Sequence, residues 1–225
     1  MKVLRKWTFI LMALLLAFSL AAFVGCGGGG DNSGDNGNDG DGGNQGEEED
    51  ITPGEGETTY KFEAEYTLIT DDMVGFGPSG SPYGLNLIGE SSSASNGFFV
   101  SSLGPQSPIT FTITSSAEVT VTLRARLGSN ALGTCTWSPT EFQVTVNGTA
   151  VNYSSFTTQM GTTDTQNFTT YNLGDITLEE GENTIVFKAG DNHYLNNASS
   201  APSIDYIMIV SSATLTMETY EDNIL

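Results

Sequence analysis

From Thr58 to the C-terminus the chain is written in short alternating runs of apolar and polar residues, and no 3.6-residue apolar pattern is sustained anywhere. That feature excludes helical folds and confines the chain to sheets whose strands each bury one face. Candidate strands are 59–67, 97–103, 108–114, 118–127, 140–147, 149–154, 168–178, 183–189 and 203–211. "VNGT" (146–149) is a two-residue hairpin signal, because Asn and Gly tolerate left-handed backbone, and "EEGEN" (179–183) reads as a longer turn. Residues 58–225 therefore fit a single all-β domain, an antiparallel β-sandwich or jelly roll. The segment 212–225 reads as an extra edge strand or as an ordered tail.

The first of these runs, "YKFEAEY" (60–66), poses a chemical question. Its alternation puts Glu63 and Glu65 on one face of a strand, roughly 7 Å apart, with only Lys61 nearby to balance them. Solvated decoration, catalytic acids and part of a metal site are the three readings. As a glycosidase pair the two are poorly placed, since catalytic carboxylates flank a scissile bond and usually come from different elements. Zinc needs more His or Cys than the chain has, and the one histidine, His193, lies in the polar loop "GDNHYLNNASSAP". Calcium takes six to eight hard oxygens and suits carboxylates mixed with carbonyls. A third carboxylate would have to come from a neighbouring element, and Asp205, the sole acid in "SIDYIMIV" (203–210), is either a strand-entry residue or that ligand.

The chain opens with MKVLRK and an apolar run from Trp7 to Val24 broken only by Thr8 and Ser19, the layout of a signal peptide. The run closes on Phe23-Val24-Gly25-Cys26, which resembles a bacterial lipobox. That resemblance implies cleavage after residue 25 and acylation of Cys26; an uncleaved membrane anchor is the alternative. The expected location is the bacterial cell surface, as a lipoprotein anchored to the membrane through its lipid alone. Cys135 is then the one remaining thiol, unless Cys26 and Cys135 pair.

Residues 26–57 follow as the acylated cysteine and a linker rich in Gly and Asp that lacks any aromatic, a composition that cannot bury a core. Its Asp-rich frame from Asp35 fails as a calcium-binding EF-hand, having Gly37 and Gly46 where ligands are required. Beyond residue 25 the chain carries four cations against 27 acids, a net charge of −23. Nucleic acid is thereby excluded as a partner, and neutral or cationic ligands are favoured.

Six stretches in order, "YKFEAEYT", "SASNGFFVSSLG", "VTLRARLG", "FQVTVNGTAV", "ITLEEGENTIVFKAG" and "SIDYIMIV", resemble the carbohydrate-binding modules of families 6 and 35 across residues 60–210. The most specific pieces are the Glu-Ala-Glu opening, the Leu-x-x-Gly-x-Asn-x-Ile turn from Leu178 to Ile185, and the closing Ile-Asp-Tyr. The resemblance implies a structural calcium held by Glu63, Glu65 and Asp205, and a neutral polysaccharide or oligosaccharide as ligand of a monomeric, non-catalytic domain. Rings that stack on sugar faces and amides that fix their orientation are expected from Trp137, Phe168, Tyr194, Asn196 and Asn197. Phe168 stands where the family commonly has Trp, and Ser203 where it often has Asn. For every aromatic the competing reading is core packing, and Trp137 and Tyr194 are read as loop residues, between the candidate strands. The rival functions are a jelly-roll glycoside hydrolase or lyase, and a structural or adhesive surface lipoprotein without a sugar site.

Overall fold

The computed structural model describes residues 51–70, 73, 87–101, 103–104, 107–129, 134–159, 167–190 and 201–224. Cys26, Tyr194, Asn196 and Asn197 lie outside them. The described strands are β1 (Thr58–Glu63), β2 (Ile88–Glu90), β3 (Phe98–Val100), β4 (Ile109–Ser115), β5 (Val119–Gly128), β6 (Thr134–Trp137) and β7 (Phe142–Val146), then β8 (Thr149–Ala150), β9 (Phe156–Gln159), β10 (Thr169–Leu178), β11 (Gly181–Ala189), β12 (Ser203–Ser211) and β13 (Leu215–Met217). One sheet runs β10-β5-β12-β3-β2 with β1 also on β12, a second runs β13-β4-β11-β7-β8, and β6 pairs with β9; every pairing is antiparallel. The expected all-β, antiparallel sandwich is what forms.

Alternation decides which residues enter the core. On β5, Val121, Leu123, Ala125 and Leu127 are buried while Thr122, Arg124 and Arg126 face outward. From the second sheet Ile109, Phe111 and Ile113, with Phe142, Ile185 and Phe187, meet them. Aromatic rings knit the centre: Phe111 meets Phe187 edge-on at 5.7 Å, Phe142 lies 5.6 Å from Phe187, and Phe156 lies 4.4 Å from Tyr171.

Both turn signals are realised, and one residue joins them. Asn147 and Gly148 adopt φ of 50° and 78°, the backbone that a tight two-residue hairpin needs. In the β10–β11 turn Gly181 has φ 101° and Asn183 is buried. The Asn183 side-chain oxygen accepts from the Glu179 N–H and from Asn147 Nδ2, each at 2.8 Å, and its amide donates to the Glu179 and Gly181 carbonyls. The Leu-x-x-Gly-x-Asn-x-Ile pattern is thus a turn built around one buried amide.

The differences from expectation have local causes. The first strand stops at Glu63, and Ala64–Tyr66 is a 3-10 turn, so Glu63 and Glu65 do not share a strand face. The cause is β12: its register against β5 shifts between Ile204 and Tyr206, which makes Asp205 the extra residue of a bulge. Beyond Tyr206, the partner of Glu63, β12 pairs instead with β3 through Ile204 and Val100, so β1 runs out of ladder. The short strands β2, β6 and β9 were not expected, and the run proposed for 149–154 is a strand only at Thr149–Ala150. Of the tail, Leu215–Met217 forms an edge strand, with Leu215 opposite Ser115, and Glu221–Ile224 is a 3-10 turn. Cys135 is buried on β6 with a free thiol.

Replacing Asn183 by Ala removes the four hydrogen bonds that its buried amide makes across the turn and to Asn147, which should cost about 2 kcal/mol. A urea midpoint within error of wild type would show that the turn does not depend on this amide.

Candidate functional site

The bulge at Asp205 places its carboxylate at the junction of three segments. Glu63 closes β1 opposite Tyr206, Glu65 follows on the 3-10 turn, and residues 91–97 fold over them as the link between β2 and β3. That link is a run of small residues held by its own turns, with the Ser91 N–H on the Gly97 carbonyl at 2.9 Å and Gly97 at φ 84°. All three carboxylates are enclosed: Glu63 is 7% exposed, and Glu65 and Asp205 are 0% exposed.

Ser95 ties two of them together. Its N–H donates to Asp205 Oδ1 at 3.0 Å and Oδ2 at 3.3 Å, and its hydroxyl lies 2.5 Å from Glu63 Oε2 and 3.2 Å from Asp205 Oδ1. With a single proton, that hydroxyl donates to the nearer Glu63. Asn96 Nδ2 reaches Glu65 Oε1 at 3.4 Å. Two cations complete the cluster. Lys61 Nζ pairs with Glu63 Oε1 at 2.8 Å, and Arg126 Nη1 pairs with Asp205 Oδ2 while donating to the Ser93 carbonyl at 2.9 Å. Aromatic faces back both cations: Lys61 lies 5.1 Å from the Tyr206 ring centre, and Arg126 lies 5.8 Å from that of Tyr206 and 5.4 Å from that of Phe168.

Three carboxylates stand against two cations, and the imbalance falls on Glu65. Burial, reinforced by the charges of Glu63 and Asp205, pushes its carboxyl up to about 7, against partial relief from hydrogen bonds by backbone and Asn96. Lys61 is also raised: burial works against its charge, but the hydrogen bond and charge of Glu63 outweigh it.

Carboxylates this enclosed cannot reach a bond in a polymer, so catalysis by Glu63 and Glu65 has no geometry behind it. Their chemistry fits a hard divalent cation: buried carboxylates with a hydroxyl and the Ser93 carbonyl beside them, one positive charge short of balance. Among the described residues no group of three or more Asp, Glu, His or Cys side chains is arranged to hold a metal ion. Glu63 and Asp205 meet at Ser95, while Glu65 is held to one side by Asn96.

Two expected sugar contacts are corrected. Trp137 is not a loop residue: it ends β6, is 1% exposed, and donates from Nε1 to Thr158 Oγ1 at 2.8 Å. Its ring is core and offers no face to a sugar. Phe168 is 9% exposed, tilts against Phe99 at 5.4 Å and presses on β5 so closely that a Cβ on Gly128 would stand 2.9 Å from it. With the Arg126 guanidinium also over the ring, Phe168 is a packing residue. Ser203, in the position where the resemblance leads one to look for Asn, is fully buried. Sequence reasoning passed over Ser95, Asn96 and Arg126 as contributors and had Lys61 only as the nearby balancing charge. The signal for Arg126 was its rarity, as one of four cations beyond residue 25.

No protein-family model matches the chain, and no curated protein matches it. Among solved structures, a family 35 carbohydrate-binding module from an environmental isolate is 18% identical, with 70% of this chain and 96% of that chain covered and a TM-score of 0.46. A family 35 module from Clostridium thermocellum is 19% identical over 68% of this chain and 98% of that one, with a TM-score of 0.46. An exo-β-1,3-galactanase from Phanerochaete chrysosporium is 18% identical over 68% of this chain and 29% of its own length, with a TM-score of 0.42.

The raised Glu65 carboxyl carries a sign for stability. Between the ordinary value of 4.5 and about 7 the folded state binds a proton that the unfolded chain has lost. Stability from this group is therefore fullest at acidic pH and declines as pH climbs through that window. In chelator the urea midpoint should be higher at about pH 5.5 than at about pH 7.5, and Glu65→Gln should flatten the difference. A midpoint that rises over this range, or a slope that survives the substitution, contradicts the assignment.

Proposed function

We propose that the chain is a non-catalytic carbohydrate-binding β-sandwich, held at a bacterial cell surface by lipid on Cys26 and steadied by a structural calcium ion. One observation carries this reading. The Glu-Ala-Glu opening, the "SASNG" stretch and the closing Ile-Asp-Tyr, separate in sequence and singled out by the family resemblance, meet in one cluster through Ser95. Glu63, Glu65 and Asp205 would hold the ion, whose charge supplies the compensation that Lys61 and Arg126 leave incomplete.

The ligand we infer is a neutral glycan. Residues 58–225 carry four cations against 17 acids, and that excess of negative charge repels polyanionic sugars. With Trp137 and Phe168 taken into the packing, the remaining sequence candidates are Tyr194, Asn196 and Asn197, in the segment that leads into β12. The burial of two of the three expected platforms also favours a second reading, a structural surface lipoprotein with no sugar site.

Calorimetry of the full chain in neutral detergent with xylan, mannan, β-glucan and galactan oligosaccharides separates the two. The glycan reading predicts weak, saturable heat with at least one of them, abolished by Tyr194→Ala at an unchanged melting temperature. No heat with any of the four transfers the protein to the structural reading.

A further inference from the structure

Arg126 is held in an unusual way for an outward-facing strand residue. It lies on β5 opposite Tyr206 of β12 and Thr170 of β10, and its side chain is only 16% exposed. A single nitrogen, Nη1, meets one Asp205 oxygen and the Ser93 carbonyl oxygen together. A carboxylate oxygen and a backbone carbonyl from two different segments are the hard donors a divalent cation collects. Here a permanently charged guanidinium has collected them.

The same guanidinium rests against two rings, Phe168 and Tyr206, which would go on stabilising its charge if it left Asp205. Arg124, two residues earlier on the same outward face, makes neither contact with the cluster. It lines instead a notch of about 280 Å³ with Thr120, Thr122, Glu57 and Val210. The two arginines share charge, strand and face and differ in whether they touch Asp205.

From this geometry we propose that Arg126 is a built-in counter-cation that competes with calcium for Asp205 and the Ser93 carbonyl, and so sets how tightly the ion is held. The proposal rests on the calcium reading above. When Nη1 holds both oxygens the domain is closed without an ion. An incoming ion must displace the guanidinium, so its apparent affinity is reduced by the fraction of time that Arg126 is away. Removing the competitor raises calcium affinity and makes the fold depend on the ion, whereas removing a neighbouring charge does neither.

The test compares wild type, Arg126→Met and Arg124→Met as full chains in neutral detergent, reading calcium affinity by calorimetry and thermal melts in EDTA and in calcium. Met keeps much of the apolar stem against Phe168 and deletes the charge. Arg126→Met should bind calcium about tenfold or more tighter than wild type. It should also melt lower in EDTA and recover in calcium. Arg124→Met should stay near wild type in both readouts.

Wild type silent toward calcium while Arg126→Met binds it is the strongest form of support. Equal or weaker binding by Arg126→Met, or equal tightening by Arg124→Met, overturns the competition while leaving the calcium reading in place. Calcium binding by none of the three removes that reading and this inference together. If Arg126→Met does not fold even in calcium, Arg126→Lys carries the test. The Lys ammonium lacks the planar group that rests against both rings, so it competes less well and calcium binding tighter than wild type is expected, and its absence overturns the proposal.

Discussion

The interaction on which the rest depends is the one made by Asp205. A bulge takes this residue out of the alternation of β12, so that it neither joins Ile204 and Ile207 in the core nor faces solvent with Tyr206. A fully buried carboxylate is tolerated only when it is paired and hydrogen-bonded. Here the donors come from elsewhere in the chain: Ser95 from the β2–β3 link and Arg126 from β5. Through the Ser95 hydroxyl the same contact reaches Glu63 at the end of β1. One carboxylate thereby joins the first strand, the last long strand and the link between β2 and β3.

Charge explains why this junction is built as it is. Only Lys61, Arg124, Arg126 and Lys188 are cationic in the domain, and two of the four are spent on three buried acids. Rings fill in where cations are scarce: the order Lys61, Tyr206, Arg126, Phe168, Phe99 alternates charge with aromatic faces before ending on a ring pair. Phe168 therefore serves the carboxylate cluster indirectly, by backing the guanidinium that reaches Asp205. The cluster remains one positive charge short, and it falls to Glu65 to absorb the difference.

Much of the sandwich was legible because strand alternation and turn chemistry are local. Val121, Leu123, Ala125 and Leu127 announce the buried face of β5, and Asn147-Gly148 announces the β7–β8 hairpin. What could not be read was non-local. The run "YKFEAEY" alternates throughout, yet the strand ends at Glu63 because its partner bulges at Asp205, about 140 positions away in sequence. The three acids were legible as a set through the family resemblance, but Ser95, Asn96 and Arg126 had no local mark of their role. Trp137 looked like a loop ring because its strand, β6, is only four residues long and pairs with the equally short β9.

Asp205→Asn is the most direct test of this account, because it keeps the shape and deletes the charge. Equilibrium urea unfolding of the variant should show a loss of about 2 kcal/mol or more, as the largely enclosed Arg126 is left without its partner and Ser95 donates to a neutral oxygen. A stability within about 0.5 kcal/mol of wild type, the range of an ordinary surface substitution, would contradict the central place given to Asp205.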